Sequence, residues 1–488
     1  MNLSSFNYMK LNINFLSFSF AVYFLILAGF LFQCRQKQVT EYPNIIFILA
    51  DDMGYGDAEC YNPYSKIPTP HINSLANEGM QFTNAHSPGT WCVPSRYGLL
   101  TGQYPIHVNT SQVGKTSLIN ENQMTIARLL KDHGYHTGMI GKWHLGFKNW
   151  EKIDFSKPLR GGPIDHGFDY FFGLHSSPNI SPHFYIENDS CVQAPTDSIE
   201  VNYSEGYTFS QGAYWQAGKI APNFKHEEVL PKLTDKAVSF IEKHKQNSGD
   251  PFFLYYAMTA PHTPWVPIDS FRNSSNAGMY GDFVTQLDYS VGRILNKLKE
   301  LDLENNTLVF FTSDNGPEWF ERDKKQFNHS ATYYLRGIKR DFYEGGHRMP
   351  FLAKWPGKIE PGAKTNELTC FTDMLATFCD LVGDTLSPQL RRESTSILPM
   401  LLGNKYKSPI KKKIIIENGA IIQGKWKYIN GYGYRWHSIR YDGSIPDKEV
   451  EGELYDLSVD RTESNNLYSK YPERLKKMRS ALESYSAN

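Results

Sequence analysis

The chain has 488 residues, of which 40% are hydrophobic and 14% aromatic, so it is too long for one small module and has enough apolar material for a large core. Lysine and arginine together number 51, as do aspartate and glutamate, and the formal net charge is zero. This balance argues against a nucleic-acid-binding protein and against attraction to an anionic membrane surface, so any anion site must be local.

The first 34 residues differ in character from the rest of the chain. An early lysine precedes an apolar stretch from about Phe15 to Phe32, followed by Cys34 and basic residues, which is the pattern of an export signal. The stretch also has about the length of a membrane anchor. Cys34 after "AGFLFQ" resembles the lipidated cysteine of bacterial lipoproteins, which implies a lipid anchor there. Lipoprotein signal, cleaved signal peptide and membrane anchor stay open, and all three predict an exported protein, periplasmic or at the surface of a bacterium.

Five cysteines follow the export signal, in a compartment where export would allow disulfides. Their number is odd, so at least one is not paired with the others, and spacing alone fixes no pair. They are Cys60, Cys92, Cys191, Cys370 and Cys379.

Short apolar runs alternate with helix-like segments over residues 40–385. The runs are near-continuous, as in a sheet covered on both faces, and they predict strands at residues 44–50, 136–140, 251–258, 307–313 and 350–355. Helices are predicted for "NQMTIARLLKDHG", where Gly134 is a stop signal, and for "FVTQLDYSVGRILNKLKELDL", which has one apolar face. Strands alternating with helices predict an α/β catalytic domain whose large, mainly parallel mixed sheet lies between helices.

The pattern of apolar and polar residues changes after about residue 385. "KKKIIIENGAIIQGKWKYINGYGYRW" predicts a small antiparallel sheet, and "PERLKKMRSALESY" predicts a closing helix. Residues 386–488 are therefore predicted to form a smaller C-terminal α+β subdomain.

Oxygen-bearing side chains follow two of the predicted strands. Asp51 and Asp52 come directly after the first strand, and Asp314 and Asn315 directly after a later one. Open α/β sheets bind ligands at the carboxyl ends of their strands, and adjacent carboxylates repel each other unless a cation lies between them. Each pair alone suits a turn or a helix cap. Together they predict a site for a hard cation, Ca²⁺ or Mg²⁺, rather than zinc.

Basic side chains and imidazoles follow other strands. Lys142 and His144 lie just beyond the strand at 136–140, and His262 lies just beyond the next predicted strand. Lys339 precedes a Gly-Gly turn, where an exposed basic loop is the simpler interpretation. A single histidine is usually structural, but two of them after strands, one with a lysine two residues away, indicate a site.

The stretch "CVPSRYGLLTG", from Cys92 to Gly102, carries the most specific pattern. It matches the Cys-x-Pro-Ser-Arg-x-x-Leu-Leu-Thr-Gly signature of the sulfatase family, within the alkaline phosphatase-like superfamily, at every fixed position. The chain resembles this family in order over most of residues 43–385. In the family a maturation enzyme oxidises the cysteine to formylglycine (3-oxoalanine), whose hydrate is the nucleophile. The resemblance therefore implies formylglycine at position 92 and a formylglycine-generating enzyme as a partner.

The resemblance also implies roles for the residues at the strand ends. The expected ion is Ca²⁺ rather than Mg²⁺, and its implied ligands, besides an oxygen of matured Cys92, are Asp51, Asp52, Asp314 and Asn315. Arg96 resembles the arginine that holds the formylglycine hydrate. The residues that match those around the sulfate group are Lys142, His144, His262 and Lys339. Ser177, in "FFGLHSS", falls where some members have a serine that contacts sulfate.

The chemistry of sulfate esters fits these roles. A sulfate monoester is an anion that repels nucleophiles, so its site needs concentrated positive charge. Attack by the formylglycine hydrate on sulfur would give a covalent sulfated enzyme. His262 is the better candidate for protonating the departing alcohol, and His144 for assisting the second step, in which sulfate leaves and the aldehyde is regenerated.

Residues 202–224 insert aromatic side chains between the motifs, and these either stack on sugar rings or belong to the core. They are Tyr203, Tyr207, Phe209, Tyr214 and Trp215. With the export signal, they favour a sulfated polysaccharide or oligosaccharide, such as an algal wall glycan or a glycosaminoglycan, as the substrate. The alternatives are a phosphonate monoester or phosphodiester hydrolase of the same superfamily and a non-catalytic glycan-binding surface lipoprotein. A zinc phosphatase would show more metal-binding histidines and a serine or threonine nucleophile.

Overall fold

The computed structural model describes residues 42–403, 413–434 and 450–486. One compact unit, Pro43–Asn488, contains all of the described residues except Tyr42. The export signal, its membrane-anchor alternative and Cys34 lie outside the described residues. Within them, no helix combines the length and the apolar character needed to cross a bilayer.

The strands are numbered in chain order. They are β1 (Asn44–Asp51), β2 (Met80–Phe82), β3 (Ala85–His86), β4 (His136–Lys142), β5 (Tyr170–Leu174), β6 (Ile186–Glu187), β7 (Ser190–Cys191), β8 (Asp197–Ile199), β9 (Gly218–Ile220), β10 (Phe252–Pro261), β11 (Thr307–Ser313), β12 (Phe351–Lys354), β13 (Ala363–Thr365), β14 (Thr369–Cys370), β15 (Lys413–Ile416), β16 (Ala420–Gln423), β17 (Trp426–Asn430) and β18 (Gly452–Asp456).

The α-helices of the described residues are numbered in the same way. They are α1 (Pro70–Glu78), α2 (Cys92–Thr101), α3 (Ile126–Asp132), α4 (Val229–Asn247), α5 (Gly278–Glu300), α6 (Glu321–Phe327), α7 (Glu344–His347), α8 (Asp373–Leu381), α9 (Pro388–Arg391), α10 (Leu398–Leu401) and α11 (Pro472–Ser486). Short 3₁₀ turns lie at Pro105–His107, Thr110–Gln112, Trp150–Lys152, Pro163–His166, His226–Glu228, Asp269–Phe271 and Glu304–Asn306.

Ten strands form the main sheet, in the order β13-β2-β12-β11-β1-β10-β4-β5-β6-β7. Its centre, from β11 to β5, is entirely parallel, whereas β12 joins β11 antiparallel and β6 joins β5 antiparallel. Every residue of β1 is buried, so both faces of the sheet are covered, as the continuous apolar run indicated. The predicted α/β fold with a mainly parallel mixed sheet is confirmed.

All five predicted strands are present, as β1, β4, β10, β11 and β12. The other five strands of the main sheet, β2, β5, β6, β7 and β13, were not predicted, because such short strands leave little apolar periodicity to detect. The first predicted helix begins at Ile126, where the Thr125 side chain accepts a hydrogen bond from the Arg128 N–H, and Gly134 follows its end with a φ of +87°. The second begins at Gly278, before the predicted start.

The four-stranded sheet β15-β16-β17-β18 is antiparallel throughout, as predicted for the C-terminal part. Its isoleucines pack against Met478, Leu482 and Tyr485 of α11, and the same cluster includes Tyr104 and Tyr343 from the preceding part of the chain. The small sheet thus packs against residues between the strands of the larger one, and the division at residues 385 and 386 stays a prediction.

Candidate active site

Four neighbouring parallel strands end at the same edge of the main sheet. β1 ends at Asp51, β4 ends at Lys142, and β10 and β11 end just before His262 and Asp314. Because parallel strands share their direction, these side chains meet although they are far apart in sequence. Two residues beyond the strands have left-handed backbones, Asp52 at a φ of 68° and His144 at 56°, which is costly for residues other than glycine and recurs at functional sites.

The turn after β1 depends on a glycine. A Cβ atom at Gly54 would lie 2.0 Å from the carbonyl oxygen of Ala331, so only glycine fits at this close approach. The Gly54 N–H donates to Asp57 Oδ2 at 2.6 Å, and Met53 N–H donates to Ser313 Oγ at 2.8 Å. The turn is therefore fixed against β11, where Asp314 and Asn315 follow.

Oxygen atoms from both strand ends lie together in a buried cluster. The Asp52 N–H donates to Asp314 Oδ1 at 3.2 Å, and Asn315 Nδ2 donates to Asp52 Oδ1 at 2.7 Å. Asp51 Oδ1 and Asn315 Oδ1 are buried and accept no hydrogen bond from the described residues. Unpaired buried oxygens are costly unless a cation binds them, and a set composed mainly of carboxylates and an amide oxygen fits Ca²⁺ or Mg²⁺. The residues thus fit the implied ion.

Arg96 lies beneath this cluster, on helix α2. Its Nε donates to Asp314 Oδ2 at 2.9 Å, and one terminal nitrogen lies 3.6 Å from Asp51 Oδ1. Its other terminal nitrogen donates to the carbonyl oxygen of Lys142 at 2.8 Å, which ties the helix to the end of β4. Arg96 is fully buried, so these contacts of its guanidinium fix helix α2 and with it Cys92, one helical turn away.

Cys92 is the first residue of helix α2 and is buried. Its Sγ atom lies 3.2 Å from Nδ1 of His144. Burial raises the pKa of the Cys92 thiol, so the unmodified side chain is a protonated thiol, which is a poor nucleophile. All five cysteines in the described residues are free thiols.

The two predicted lysines bracket the cluster. Lys142 Nζ lies 2.6 Å from Asp51 Oδ2, and Lys339 Nζ lies 2.6 Å from Asp52 Oδ2. Burial raises the pKa of Asp51, but the positive charge at Lys142 above all outweighs it and holds that pKa well below its usual range. With Arg96, three cationic groups balance three carboxylates, so a bound divalent cation would give the site a net positive charge for an anionic ester.

His262 and Ser177 lie on the other side of the cluster. His262 Nδ1 lies 2.7 Å from the carbonyl oxygen of Thr263, so Nδ1 carries the hydrogen and Nε2 faces the site. Nε2 lies 3.7 Å from Asp52 Oδ2 and 3.5 Å from Ser177 Oγ. Burial and then Lys339 lower the pKa of His262 to about 4, so the imidazole is neutral near pH 7.

The structure thus brings all the predicted site residues into one region, and their individual roles stay predictions. Thr263, whose carbonyl oxygen orients His262, was not predicted as a site residue. A histidine followed by a threonine gives no signal that the threonine carbonyl will accept from the histidine ring, since that depends on the backbone turn.

The aromatic insertion has a mixed role. Trp215 stacks on His226 with ring centroids 4.3 Å apart, and Tyr207 packs on buried Trp265, so these two half-buried rings are partly covered by neighbouring side chains. Tyr203 and Phe209 are 62% and 43% exposed. The Gly212 carbonyl oxygen accepts from Thr263 Oγ1 at 2.8 Å, so the insertion lies beside the His262 loop. Tyr203 and Phe209 are therefore the rings of the insertion that are most accessible to a sugar.

A second cluster of candidate ligands, His86, Glu344 and His347, is also fully buried. Lys427 Nζ lies 2.9 Å from Glu344 Oε1 and 2.8 Å from His347 Nε2, and Arg348 forms an ion pair with the same glutamate. These cations already neutralise the carboxylate. The cluster is therefore an ionic network that joins β17 to helix α7.

Comparisons with known proteins agree with this geometry. A sequence model described as Sulfatase matches residues 43–384, and one described as N-sulphoglucosamine sulphohydrolase, C-terminal, matches residues 337–488. The chain is 35% identical over 500 residues to an N-acetylgalactosamine-6-O-sulfatase of Bacteroides thetaiotaomicron, covering 92% of this chain and 96% of the relative. It is 35% identical over 381 residues to human arylsulfatase A, covering 76% of this chain and 70% of the relative.

A solved structure from work on the metabolism of multiple glycosaminoglycans by Bacteroides thetaiotaomicron superposes with a TM-score of 0.79. It is 34% identical and covers 92% of this chain and all of its own.

Proposed function

The chain belongs to the sulfatase family and hydrolyses sulfate esters, and from this premise we propose that it is an exported enzyme acting on a sulfated polysaccharide or oligosaccharide. Its nucleophile is formylglycine made from Cys92 by a maturation enzyme, and its ion is Ca²⁺. The observation that carries this proposal is the convergence of Cys92, Lys142, Lys339 and His262 on one buried oxygen cluster.

Asp51, Asp52, Asp314 and Asn315 are the residues that would hold the ion. When bound, Ca²⁺ supplies positive charge that stabilises the negative charge developing during transfer of the sulfuryl group. The Asp51 Oδ1 and Asn315 Oδ1 atoms, which accept no hydrogen bond from the described residues, support this assignment. Among the described residues, Cys92 is the one cysteine of this cluster, which argues against a structural zinc site there.

Formylglycine supplies a geminal diol as the nucleophile. Arg96 keeps position 92 in place through its contacts with Asp314 and the end of β4. His144 is close enough to exchange a proton with a group on residue 92, since its Nδ1 already lies 3.2 Å from Sγ. This supports its role in the second step, in which removing a proton from the remaining hydroxyl expels sulfate.

The lysines and His262 act on the substrate. Lys142 and Lys339 each offer an ammonium group to the sulfate oxygens while remaining paired with Asp51 and Asp52. His262 donates from Nδ1 to Thr263, so its Nε2 faces the departing oxygen, but the imidazole of the free enzyme is neutral near pH 7. The negative charge of the bound ester would favour uptake of a second proton at Nε2, which His262 then gives to the departing oxygen. Ser177 beside Nε2 offers a further hydrogen bond to the same oxygen or to sulfate.

The substrate class follows from the relatives with which the chain shares most of its length. One of them is an N-acetylgalactosamine-6-O-sulfatase, so 6-O-sulfated N-acetylgalactosamine is the first substrate to test. Relatives named arylsulfatase and steryl-sulfatase are 30% to 35% identical. Sequence identity alone therefore does not tell which alcohol carries the sulfate in the substrate. The exposed Tyr203 and Phe209 beside the His262 loop support a sugar.

The test is a panel of defined sulfated oligosaccharides, with nitrophenyl sulfate, a phosphodiester and a phosphonate monoester, using protein produced together with a maturation enzyme. We expect release of sulfate from at least one glycan. Faster hydrolysis of the phosphorus esters would favour the phosphonate or phosphodiester hydrolase instead. Glycan binding with no release of sulfate or phosphate would favour the glycan-binding surface lipoprotein.

A further inference from the structure

An exposed arginine stacks on an aromatic ring next to two of the active-site residues. The Arg340 guanidinium carbon lies 5.4 Å from the centroid of the Trp91 ring. Trp91 directly precedes Cys92, and Arg340 directly follows Lys339. Since neighbouring residues are separated by about 3.8 Å between Cα atoms, the pair lies at the border of the site rather than elsewhere on the surface. Arg340 is exposed and Trp91 is half-buried.

The backbone around this pair is held from two sides. The Arg340 N–H donates to the carbonyl oxygen of Thr90 at 2.7 Å, and Arg340 has a φ of 74°, in the left-handed region that long side chains rarely adopt. The Thr90 N–H and Oγ1 both donate to Glu417 Oε1, at 2.9 and 2.7 Å, from the turn after β15. Trp91 and Arg340 are therefore pre-positioned by contacts that do not involve their side chains.

The positive charge of Arg340 is not balanced by a neighbouring carboxylate. Within the described ranges, no carboxylate forms an ion pair with its guanidinium. It lies near another cation: burial and, more weakly, Arg340 act to lower the pKa of Lys339, whereas Asp52 above all raises it. An exposed cation held beside a like charge, on a strained backbone, suits a ligand that brings negative charge.

We propose that Trp91 and Arg340 form a subsite at the mouth of the active site that binds a second anionic group of the glycan. This inference rests on the proposed function. The guanidinium would bind a sulfate or a carboxylate through two parallel hydrogen bonds, while the Trp91 ring holds its plane in place. The substrate is then a multiply charged glycan, in which a uronate carboxylate or another sulfate lies close to the sulfate that is removed.

The experiment compares kcat/KM of matured wild type, Arg340→Gln and Arg340→Lys on four substrates. These are nitrophenyl sulfate, N-acetylgalactosamine 6-sulfate, a disaccharide joining the same sulfated sugar to a uronate, and a neutral disaccharide with two sulfates. Arg474→Gln is the matched control, because Arg474 is likewise exposed and its guanidinium carbon lies 5.2 Å from the centroid of the Trp426 ring, on the C-terminal sheet. Each variant's rate on nitrophenyl sulfate serves as its own reference.

We expect Arg340→Gln to lower the rate on a doubly charged disaccharide, relative to nitrophenyl sulfate, by about 10- to 100-fold, as for one lost charge-assisted hydrogen-bonded pair. Arg340→Lys should lose less, and Arg474→Gln nothing. The disaccharide that shows the loss identifies the carboxylate or the second sulfate as the group bound. Equal changes on all four substrates would overturn the subsite and leave the sulfatase proposal intact, whereas no hydrolysis of any sulfate ester by wild type would overturn both.

Discussion

The Cys92 Sγ atom lies 3.2 Å from Nδ1 of His144, and both residues border the oxygen cluster at the ends of the central strands. The contact joins the first residue of helix α2 to the turn beyond β4, 52 positions away in sequence. It places an imidazole beside the atom on which the proposed chemistry depends. Because burial keeps the Cys92 thiol protonated, the unmodified residue is a weak nucleophile, and the first prediction concerns its modification.

Protein produced together with a maturation enzyme should carry an aldehyde at position 92. Peptide mass and hydrazide labelling measure it, with Cys370, which is equally buried, as the internal control that stays a thiol. Cys92→Ser should lose turnover and retain covalently bound sulfate, since serine lacks the second hydroxyl that expels it. Full activity with an intact Cys92 thiol would contradict the mechanism.

Removal of the ion should abolish turnover and calcium should restore it. Chelator-treated enzyme is assayed after adding Ca²⁺, Mg²⁺ or Zn²⁺, and bound metal is measured by elemental analysis. Asp51→Ala and Asp314→Ala should each lower kcat/KM by at least about 100-fold, because each removes an oxygen from the cluster and leaves Arg96 or Lys142 unpaired. Stoichiometric zinc without calcium or magnesium in active enzyme would refute the calcium assignment.

His262→Ala should separate substrates by their leaving groups. A sugar alkoxide must be protonated as the S–O bond breaks, so its hydrolysis should slow by about 10²–10⁴-fold. Nitrophenolate leaves without a proton, so nitrophenyl sulfate should lose much less. Similar losses on both substrates would mean that His262 only binds the sulfate group, and the acid role would be abandoned.

Lys427→Ala should destabilise the fold without touching the active site. Lys427 Nζ lies 2.9 Å from Glu344 Oε1 and 2.8 Å from Glu463 Oε1, and all three side chains are buried. Removing the cation leaves Glu463 without its partner and Glu344 with Arg348 alone, which costs about 3–5 kcal/mol in the free energy of unfolding, measured by urea denaturation. Lys425→Ala is the control, because Lys425 is half exposed and its pair with Asp456 lies at the surface. Equal effects of the two substitutions would show that the buried network does not stabilise the fold.

Asp288 should make stability depend on pH. Burial raises its pKa to about 7, although its carboxylate accepts hydrogen bonds from the Ile72 and His71 N–H groups at the start of helix α1. Between about pH 4 and 7 the folded chain keeps a proton that the unfolded chain has lost, so this residue's contribution to stability falls as pH rises.

The stability of wild type relative to Asp288→Asn should therefore fall across that window, by roughly 4 kcal/mol at most, at about 1.4 kcal/mol per pKa unit. Urea denaturation at several pH values measures the difference. Asp269→Asn is the control, because Asp269 is 92% exposed. A difference that rises with pH would show that the helix terminus stabilises the charged carboxylate instead.

The sequence by itself determined much of the fold. Continuous apolar runs revealed β1, β4, β10 and β11, because a strand buried on both faces needs apolar residues at every position. It also determined which residues would meet, since parallel strands end at one edge and the polar residues after Asp51, Lys142, Pro261 and Ser313 therefore share a site. The signature at Cys92 identified the family without any structure.

Only the tertiary structure decided which atoms face each other there. The pairing of Lys142 with Asp51 and of Lys339 with Asp52 depends on how the ends of β1 and β4 and the loop before α7 pack together, and no spacing along the chain predicts it. The hydrogen bond from His262 to Thr263 depends on one backbone turn. The position of Arg340 over Trp91 joins loops about 250 residues apart and rests on a left-handed backbone. Long-range contacts of this kind arise when separate strands and loops pack together, so local sequence preference does not predict them.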